Sequence, residues 1–269
     1  MNEVYRDKVV VLTGAASGIG RALAERLAAS GATVYALDAD GGKLDGLGAG
    51  LELEGQLIPR VLDVRDLAAY RDLVADVVAK SGRIDYLFNN AGVTLLGPAE
   101  SIPFERWKWL LDINLMGVVH GIECVYPVMI GQGSGHIINT ASLAGSTAYA
   151  TAAAYTASKA AVLELTRSLR AEARAYGVRV SVGCPGYVDS GIFSQDRIVG
   201  AERAKVMNDL PLKPMTPDEA AGHFARGVAK GKATIVFPFS ARVLWVASKW
   251  APWVNGIFQN GFMKAFDKP

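Results

Sequence analysis

The stretch that most limits what this chain can fold into lies near its beginning. Lys8–Leu12 is a short apolar run that feeds directly into Thr13-Gly14-Ala15-Ala16-Ser17-Gly18-Ile19-Gly20, and a helical periodicity, Ile19–Ser30, departs from that turn. Buried parallel strands read as unbroken apolar runs, so this is a strand, a glycine-rich turn and a helix in succession. Glycines in such a turn let the backbone approach a pyrophosphate, and the helix N-terminus adds unpaired N–H groups and a positive dipole end. The spacing is G-x-x-x-G-x-G, not the commoner G-x-G-x-x-G, and a tight structural loop is the competing reading. Its place between strand and helix favours a nucleotide.

The same alternation runs on. Thr33–Leu37, Leu57–Leu62, Tyr86–Asn89, His136–Asn139, Arg179–Val182 and Thr234–Phe237 read as strands, with Leu67–Ser81, Phe104–Ile130, Tyr155–Tyr176 and Pro217–Lys230 as helices among them. Parallel strands need long crossovers, usually helical. The pattern therefore predicts an α/β fold: a single Rossmann-type domain over 1–269, its parallel sheet covered by helices on both faces. Neither a repeat nor an interdomain linker interrupts it.

Composition removes several function classes. The apolar share is 51%, enough for a large core, and the net charge of +2 comes from scattered Lys and Arg, so no nucleic-acid partner is expected. Cys124 and Cys184 lie in apolar runs and read as reduced core residues. Met1–Lys8 is too polar for a secretory signal, and no run approaches the roughly 18–20 apolar residues of a spanning helix, so a cytoplasmic location is expected. Cys and His do not cluster, so no metal is expected. No serine sits in a G-x-S-x-G elbow, which speaks against hydrolase chemistry.

Asp38 closes the second strand, 18 residues beyond Gly20. An acid there accepts hydrogen bonds from the adenosine ribose and repels a 2′-phosphate, and positions 14–18 and 39–42 hold no Lys or Arg to offset it. NAD is favoured over NADP, with a solvated turn acid as the plainer alternative. Asp63-Val64 follows the third strand, where an acid can meet the adenine amino group. Asn89-Asn90-Ala91-Gly92 follows the fourth and reads as close-packed backbone beside the cofactor.

The candidate chemistry lies at Ser142, Tyr155 and Lys159. Tyr155 and Lys159 are four apart in a helical stretch and share a face. A phenol, with a pKa of about 10, is a weak base at neutral pH, and a neighbouring ammonium stabilises its phenolate. Ser142 can donate a hydrogen bond to a substrate oxygen on which negative charge develops. A lone Y-x-x-x-K says little, but the three residues after a glycine-rich nucleotide turn say much more.

Taken together, Thr13–Gly20, Asn89–Gly92, Asn114, Ser142, Tyr155-Thr156-Ala157-Ser158-Lys159 and Pro185-Gly186 resemble the short-chain dehydrogenase/reductase family, from about Lys8 to Ser190. The resemblance implies strand order 3-2-1-4-5-6-7 and Tyr155 as general acid/base, with Ser142 orienting the reacting oxygen. It implies that Lys159 lowers the Tyr155 pKa and binds the nicotinamide ribose, and that Asn114 holds a water in a proton relay behind Lys159. Gly14, Ser17, Gly18, Ile19, Gly20, Asp38, Asp63, Val64, Asn90, Ala91 and Gly92 would line the dinucleotide. Pro185, Gly186, Tyr187 and Val188 would cover the nicotinamide, with Ser190 near its carboxamide, where the family usually has Thr. A homodimer or homotetramer built on the long helices is also implied.

Beyond about Ile192 the resemblance weakens. The connection 190–216 is expected to be a lid. The segment 239–269 is an unusual aromatic tail; it is expected to shape the pocket entrance or an interface, with a membrane surface as the less favoured alternative. Thr94, Leu95, Leu143, Ala144, Tyr149, Tyr187 and Ile192 are the candidate substrate-lining residues. They include no cation, which favours a neutral hydrophobic alcohol or ketone. The alternatives are a non-catalytic nucleotide-sensing or scaffold protein of the same fold, and an epimerase or dehydratase.

Overall fold

The computed structural model describes residues 2–208, 213–250 and 266. In chain order the elements are α1 (Asn2–Tyr5), β1 (Val9–Thr13), α2 (Gly18–Ala29), β2 (Thr33–Asp38), α3 (Gly41–Leu44), β3 (Gln56–Val61), α4 (Leu67–Ser81), β4 (Tyr86–Asn89), α5 (Phe104–Leu111), α6 (Gly117–Gln132), β5 (Gly135–Thr140), α7 (Ala153–Ala173), β6 (Val178–Pro185), α8 (Arg203–Asn208), α9 (Pro217–Ala229), β7 (Thr234–Phe237) and α10 (Phe239–Trp250). The sheet is seven-stranded and parallel, in the order β3-β2-β1-β4-β5-β6-β7. The order reverses between β1 and β4, and at that switch point a crevice opens beyond the strand ends.

Both faces of β1 are buried, and its side chains alternate between two cores. Val10 and Leu12 pack with Leu23, Leu27, Phe224 and Val228 of α2 and α9. Val9 and Val11 pack with Tyr70, Val74, Val125 and Met129 of α4 and α6. Local signals set the helix ends. Asp66 caps α4 by accepting from Ala69 N at 3.0 Å, and Gly82 closes it in the left-handed region. Thr216 and Glu219 form a reciprocal capping box at the start of α9, with Pro217 in the first turn.

Two differences from the sequence reading concern the long helical stretch after β4. The helix expected over Phe104–Ile130 is broken by a π turn, Asp112–Met116, that carries Asn114; such turns disturb periodicity too little to be seen in sequence. The same helical stretch, Phe104–Gln132, is long and apolar enough by composition to cross a membrane, which corrects the expectation that no segment would be. In the fold it flanks the sheet, with Val125 and Met129 in the core. The connection 190–216 is tied to the body by isolated bridges, Leu96 to Ile198 and Val188 to Met215. Of the tail, α10 and Phe266 are described, and its other positions lie outside the described residues.

Candidate active site

The turn after β1 leaves no space for side chains. A Cβ on Gly20 would stand 1.9 Å from the Gly14 carbonyl oxygen, and one on Gly14 would stand 2.8 Å from Ala91 Cα. Gly14 and Gly18 also adopt positive φ, +72° and +53°. Thr13, to which the sequence reading gave no separate part, ties the turn to the β4 loop: its hydroxyl accepts from Asn90 N and Ala91 N, both at 3.0 Å. The Asn90 amide donates to Thr13 O at 3.1 Å, so its side chain holds the turn while its backbone faces the cleft. Ser190 comes back over this turn; a Cβ on Gly18 would lie 2.6 Å from the Ser190 Cβ.

Beyond the turn lies a cleft of about 960 Å³ lined by Gly14, Ser17, Asp38, Asp63, Asn90 and Lys159, among others. Asp38 sits at the end of β2 and accepts from Ala16 N and Asp40 N, each at 3.0 Å, and each carboxylate oxygen keeps a further lone pair. Asp63 is held more tightly. Arg65 binds it through Nε at 3.0 Å and a terminal guanidinium nitrogen at 2.5 Å, and this pairing holds its carboxyl below the usual carboxylate range. The cleft also contains Lys43 and Arg197. Lys43 pairs with Asp40 at 2.7 Å and Arg197 with Asp196 at 3.9 Å. The glycine cradle, the Asp38 acceptors and the cleft volume together fit a nicotinamide dinucleotide.

Four polar residues converge where β5 and α7 meet the cleft. Ser142 Oγ accepts from Ala144 N at 3.2 Å, and its hydroxyl acts on the Tyr155 phenol to lower the phenol's pKa. Lys159 Nζ donates to Thr140 O at 2.9 Å and lies 5.8 Å from the centre of the Tyr155 ring. Asn114 accepts from Val93 N at 2.8 Å and donates to Val93 O at 2.9 Å and Ser158 Oγ at 3.1 Å. Ser158 in turn donates to Tyr155 O at 2.8 Å, so Asn114 and Ser158 brace the first turn of α7. Glycines admit the lysine. Cβ atoms on Gly92 and Gly145 would stand 3.1 Å from its Nζ and 2.6 Å from its backbone oxygen. Thr140 and Gly145 were not singled out from the sequence, because they act through backbone contacts that carry no motif, and Ser158, which lies within the Tyr155–Lys159 motif, was given no part of its own.

The electrostatics differ from the sequence expectation. Burial raises the Tyr155 pKa above that of a free phenol, and the Ser142 hydrogen bond only partly opposes this. Burial also pushes Lys159 down to about 8. In the protein alone Tyr155 is therefore a held phenol beside an easily neutralised amine. The reason is that desolvation of two buried groups outweighs their mutual attraction at this separation.

Next to the Tyr155 hydroxyl lies a second, mostly apolar chamber of about 80 Å³. Of the expected lining residues, Thr94, Leu143, Ala144, Tyr149, Tyr187 and Ile192 are there. Leu95 is not: it is fully buried with Val93, Ile102 and Leu110 in a separate core cluster. Adjacent residues of an extended segment face opposite sides, so Leu96 lines the chamber instead, joined by Ala152 and Phe193. Tyr149 and Tyr187 meet edge to face, 6.2 Å apart. Phe266, from the tail, packs against this wall with Leu96, Ala144, Tyr149 and Ala152. The histidines are elsewhere: His120 bonds Val64 O at 2.8 Å, His136 bonds Ser181 Oγ at 2.8 Å, and His223 stacks on Phe237.

A seven-stranded parallel sheet whose switch-point cleft leads to a Ser–Tyr–Lys–Asn group defines a nucleotide-dependent oxidoreductase. The chain matches the short chain dehydrogenase family model over residues 8–198 and belongs to that family. It is 36% identical over 216 residues to a 3-oxoacyl-[acyl-carrier-protein] reductase of Thermotoga maritima, covering 80% of this chain and 87% of that one. A Burkholderia phymatum short chain dehydrogenase/reductase solved with NAD superposes with a TM-score of 0.82 at 30% identity, over 93% of this chain and 95% of that one. A metagenomic short-chain oxidoreductase solved with NADP superposes with a TM-score of 0.70 at 31% identity, over 87% of this chain and 97% of that one.

Proposed function

We propose that this oxidoreductase interconverts a secondary alcohol and its ketone with NAD(H), on a neutral, hydrophobic substrate. The observation that carries this reading is the position of Tyr155: it lines both the nucleotide cleft and the apolar chamber, and Ser142 lines that chamber beside it. When bound, the nicotinamide ring supplies the acceptor or donor of the hydride. Everything else falls to the chain. Gly14, Gly18 and Gly20 admit the pyrophosphate against the N-terminus of α2. Asp38 accepts from the adenosine ribose, which favours NAD, because the nearby cations Lys43 and Arg65 are already paired with Asp40 and Asp63.

Ser142 holds the substrate oxygen, and Tyr155 exchanges the hydroxyl proton with it. The raised pKa of Tyr155 suits it to give a proton to a ketone at neutral pH. Lys159 holds the nicotinamide ribose and stabilises the phenolate left behind. Asn114 and Ser158 keep this turn of α7 in place, and a water behind Lys159 would complete the relay. Among the described residues, the chamber walls offer no cation for a carboxylate or phosphate. The reading includes a cytoplasmic protein that pairs through α5, α6 and α7; Phe104 and Met116 stand exposed there, beside an apolar groove formed by Ile102, Trp107 and Leu111.

The test is a panel of secondary alcohols and ketones assayed with NAD(H) and NADP(H), followed by absorbance of the reduced nicotinamide. Tyr155→Phe is expected to lower kcat by about 10³-fold while leaving nucleotide affinity unchanged. Turnover that survives in Tyr155→Phe would overturn the assignment of the proton donor. Nucleotide binding without turnover on any substrate would point to the sensing or scaffold alternative.

A further inference from the structure

The last described helix, α10, has two apolar faces where one suffices. Its inner face, Ala241, Leu244 and Trp245, is buried on the core with Val182 and Leu163, and Arg167 lies over the Trp245 ring at 5.9 Å. The opposite face carries Phe239, Val243, Val246 and Trp250, which are 75%, 54%, 54% and 86% exposed. The intervals of four, three and four residues put all of them on one stripe, with aromatic rings at both ends. A helix that needed only to cover the sheet would place polar residues there. The helix has no Asp or Glu, and the sequence from Phe239 to Pro269 contains Arg242, Lys249, Lys264 and Lys268 against the single acid Asp267.

A second observation lies beside the stripe. Phe239 and Arg242 form part of the wall of a surface cavity of about 200 Å³ along the free edge of β7, together with His223, Arg226, Lys230 and Lys232. Among the described residues, no acid lines it. None of these Arg and Lys side chains forms an ion pair with another described residue. The acids closest along α9 are already engaged: Asp218 pairs with Arg26 at 2.5 Å, and Glu219 closes the capping box with Thr216.

We propose that the outer face of α10 and the adjoining basic cavity form a docking surface for an anionic lipid bilayer. The stripe enters the boundary between headgroups and acyl chains, and the cations bind lipid phosphates. Charge decides between occupants. A second copy placed on this face by a two-fold axis would set the same cations against themselves, whereas a phosphate-bearing surface neutralises them. The site also joins the chemistry: a Cβ on Gly186, which lines the apolar chamber, would lie 3.2 Å from Ala241 of α10. Docking there brings the chamber to the level where an apolar alcohol dissolves.

The test is flotation of the full chain with vesicles of phosphatidylcholine alone, or with about a third phosphatidylglycerol, at low salt and at about 0.5 M salt. Wild type is expected to float with the anionic vesicles and to be released by salt. The pair V243E/V246E should lose at least about tenfold in binding, with its unfolding midpoint and its turnover of a small soluble substrate unchanged. R226Q/R242Q should lose the preference for anionic lipid. Wild type that stays unfloated with anionic vesicles, or V243E/V246E that floats as wild type does, overturns the proposal. So does a light-scattering mass that halves in V243E/V246E without vesicle binding, which would assign the face to a second copy. Turnover serves here only as a control on folding, and flotation of the vesicles needs no reaction, so the reaction and the docking stand or fall separately.

Discussion

At the nucleotide end of the cleft, Gly20 faces the Gly14 carbonyl with no room for a methyl group; at the chamber end, the walls come from Leu96, Tyr149, Tyr187 and Phe193, with Phe266 packed against them, and these residues are drawn from well-separated stretches of chain. The first end is made of backbone and is set within one turn. The second is made of side chains and is set by tertiary packing. A backbone cradle tolerates almost no substitution, because the ligand touches atoms that every residue shares. A side-chain wall tolerates substitution and converts it into a change of substrate. One end should therefore fail abruptly and the other should drift.

That contrast can be broken in order of expected effect. Gly20→Ala should be the most severe: its methyl group has nowhere to go, and overpacking of about 3 kcal/mol corresponds to a loss of more than about 100-fold in NAD affinity by calorimetry. Affinity within a few-fold of wild type would show that the turn can relax. Next comes pH. Lys159 is held down to about 8 by burial, so it carries its proton below that value and loses it above. If the ammonium is needed to settle charge on Tyr155, kcat/KM for ketone reduction in the free enzyme falls about tenfold per unit as pH rises beyond about 8. A flat profile through that region would remove the ammonium from the chemical step.

Asp38→Ala should have an intermediate effect. Removing an acceptor that carries a charge-assisted bond of about 1.5 kcal/mol lowers NAD affinity about tenfold and raises the NADP/NAD ratio. An unchanged ratio would mean that Lys43, Arg65 and Arg197, rather than Asp38, set the cofactor preference. The smallest effect belongs to the chamber. Phe266→Ala is expected to shift the kcat/KM ratio of a bulky over a small alcohol by about three- to tenfold, with NAD affinity unchanged. A change in NAD affinity of the same size would blur the division between the two ends.

The legibility of the molecule followed the same division. Tyr155 and Lys159 were readable because a helix converts a spacing of four into a shared face. Leu95 misled because an extended segment gives no clue to its phase until its neighbours are known: Leu96 pairs with Ile198 and turns inward, while Leu95 joins the core. Asn114 was named through the family resemblance alone, and the π turn that aims its amide at Val93 and Ser158 was not readable. Gly145 carries no motif, and the parts that Thr13 and Ser158 play within theirs appear only with the atoms they touch.

By itself the sequence determined the alternation of strands and helices, the glycine turn, the acid at the end of β2 and the shared helix face of Tyr155 and Lys159, since each depends on neighbours close in the chain. Only the tertiary structure decided which residues wall the chamber and that α10 presents a second apolar face. It also decided that Tyr155 is held as a phenol rather than relieved of its proton. Those properties depend on desolvation and on contacts between segments far apart in sequence, and burial is a property of the assembled fold, not of any local run of residues.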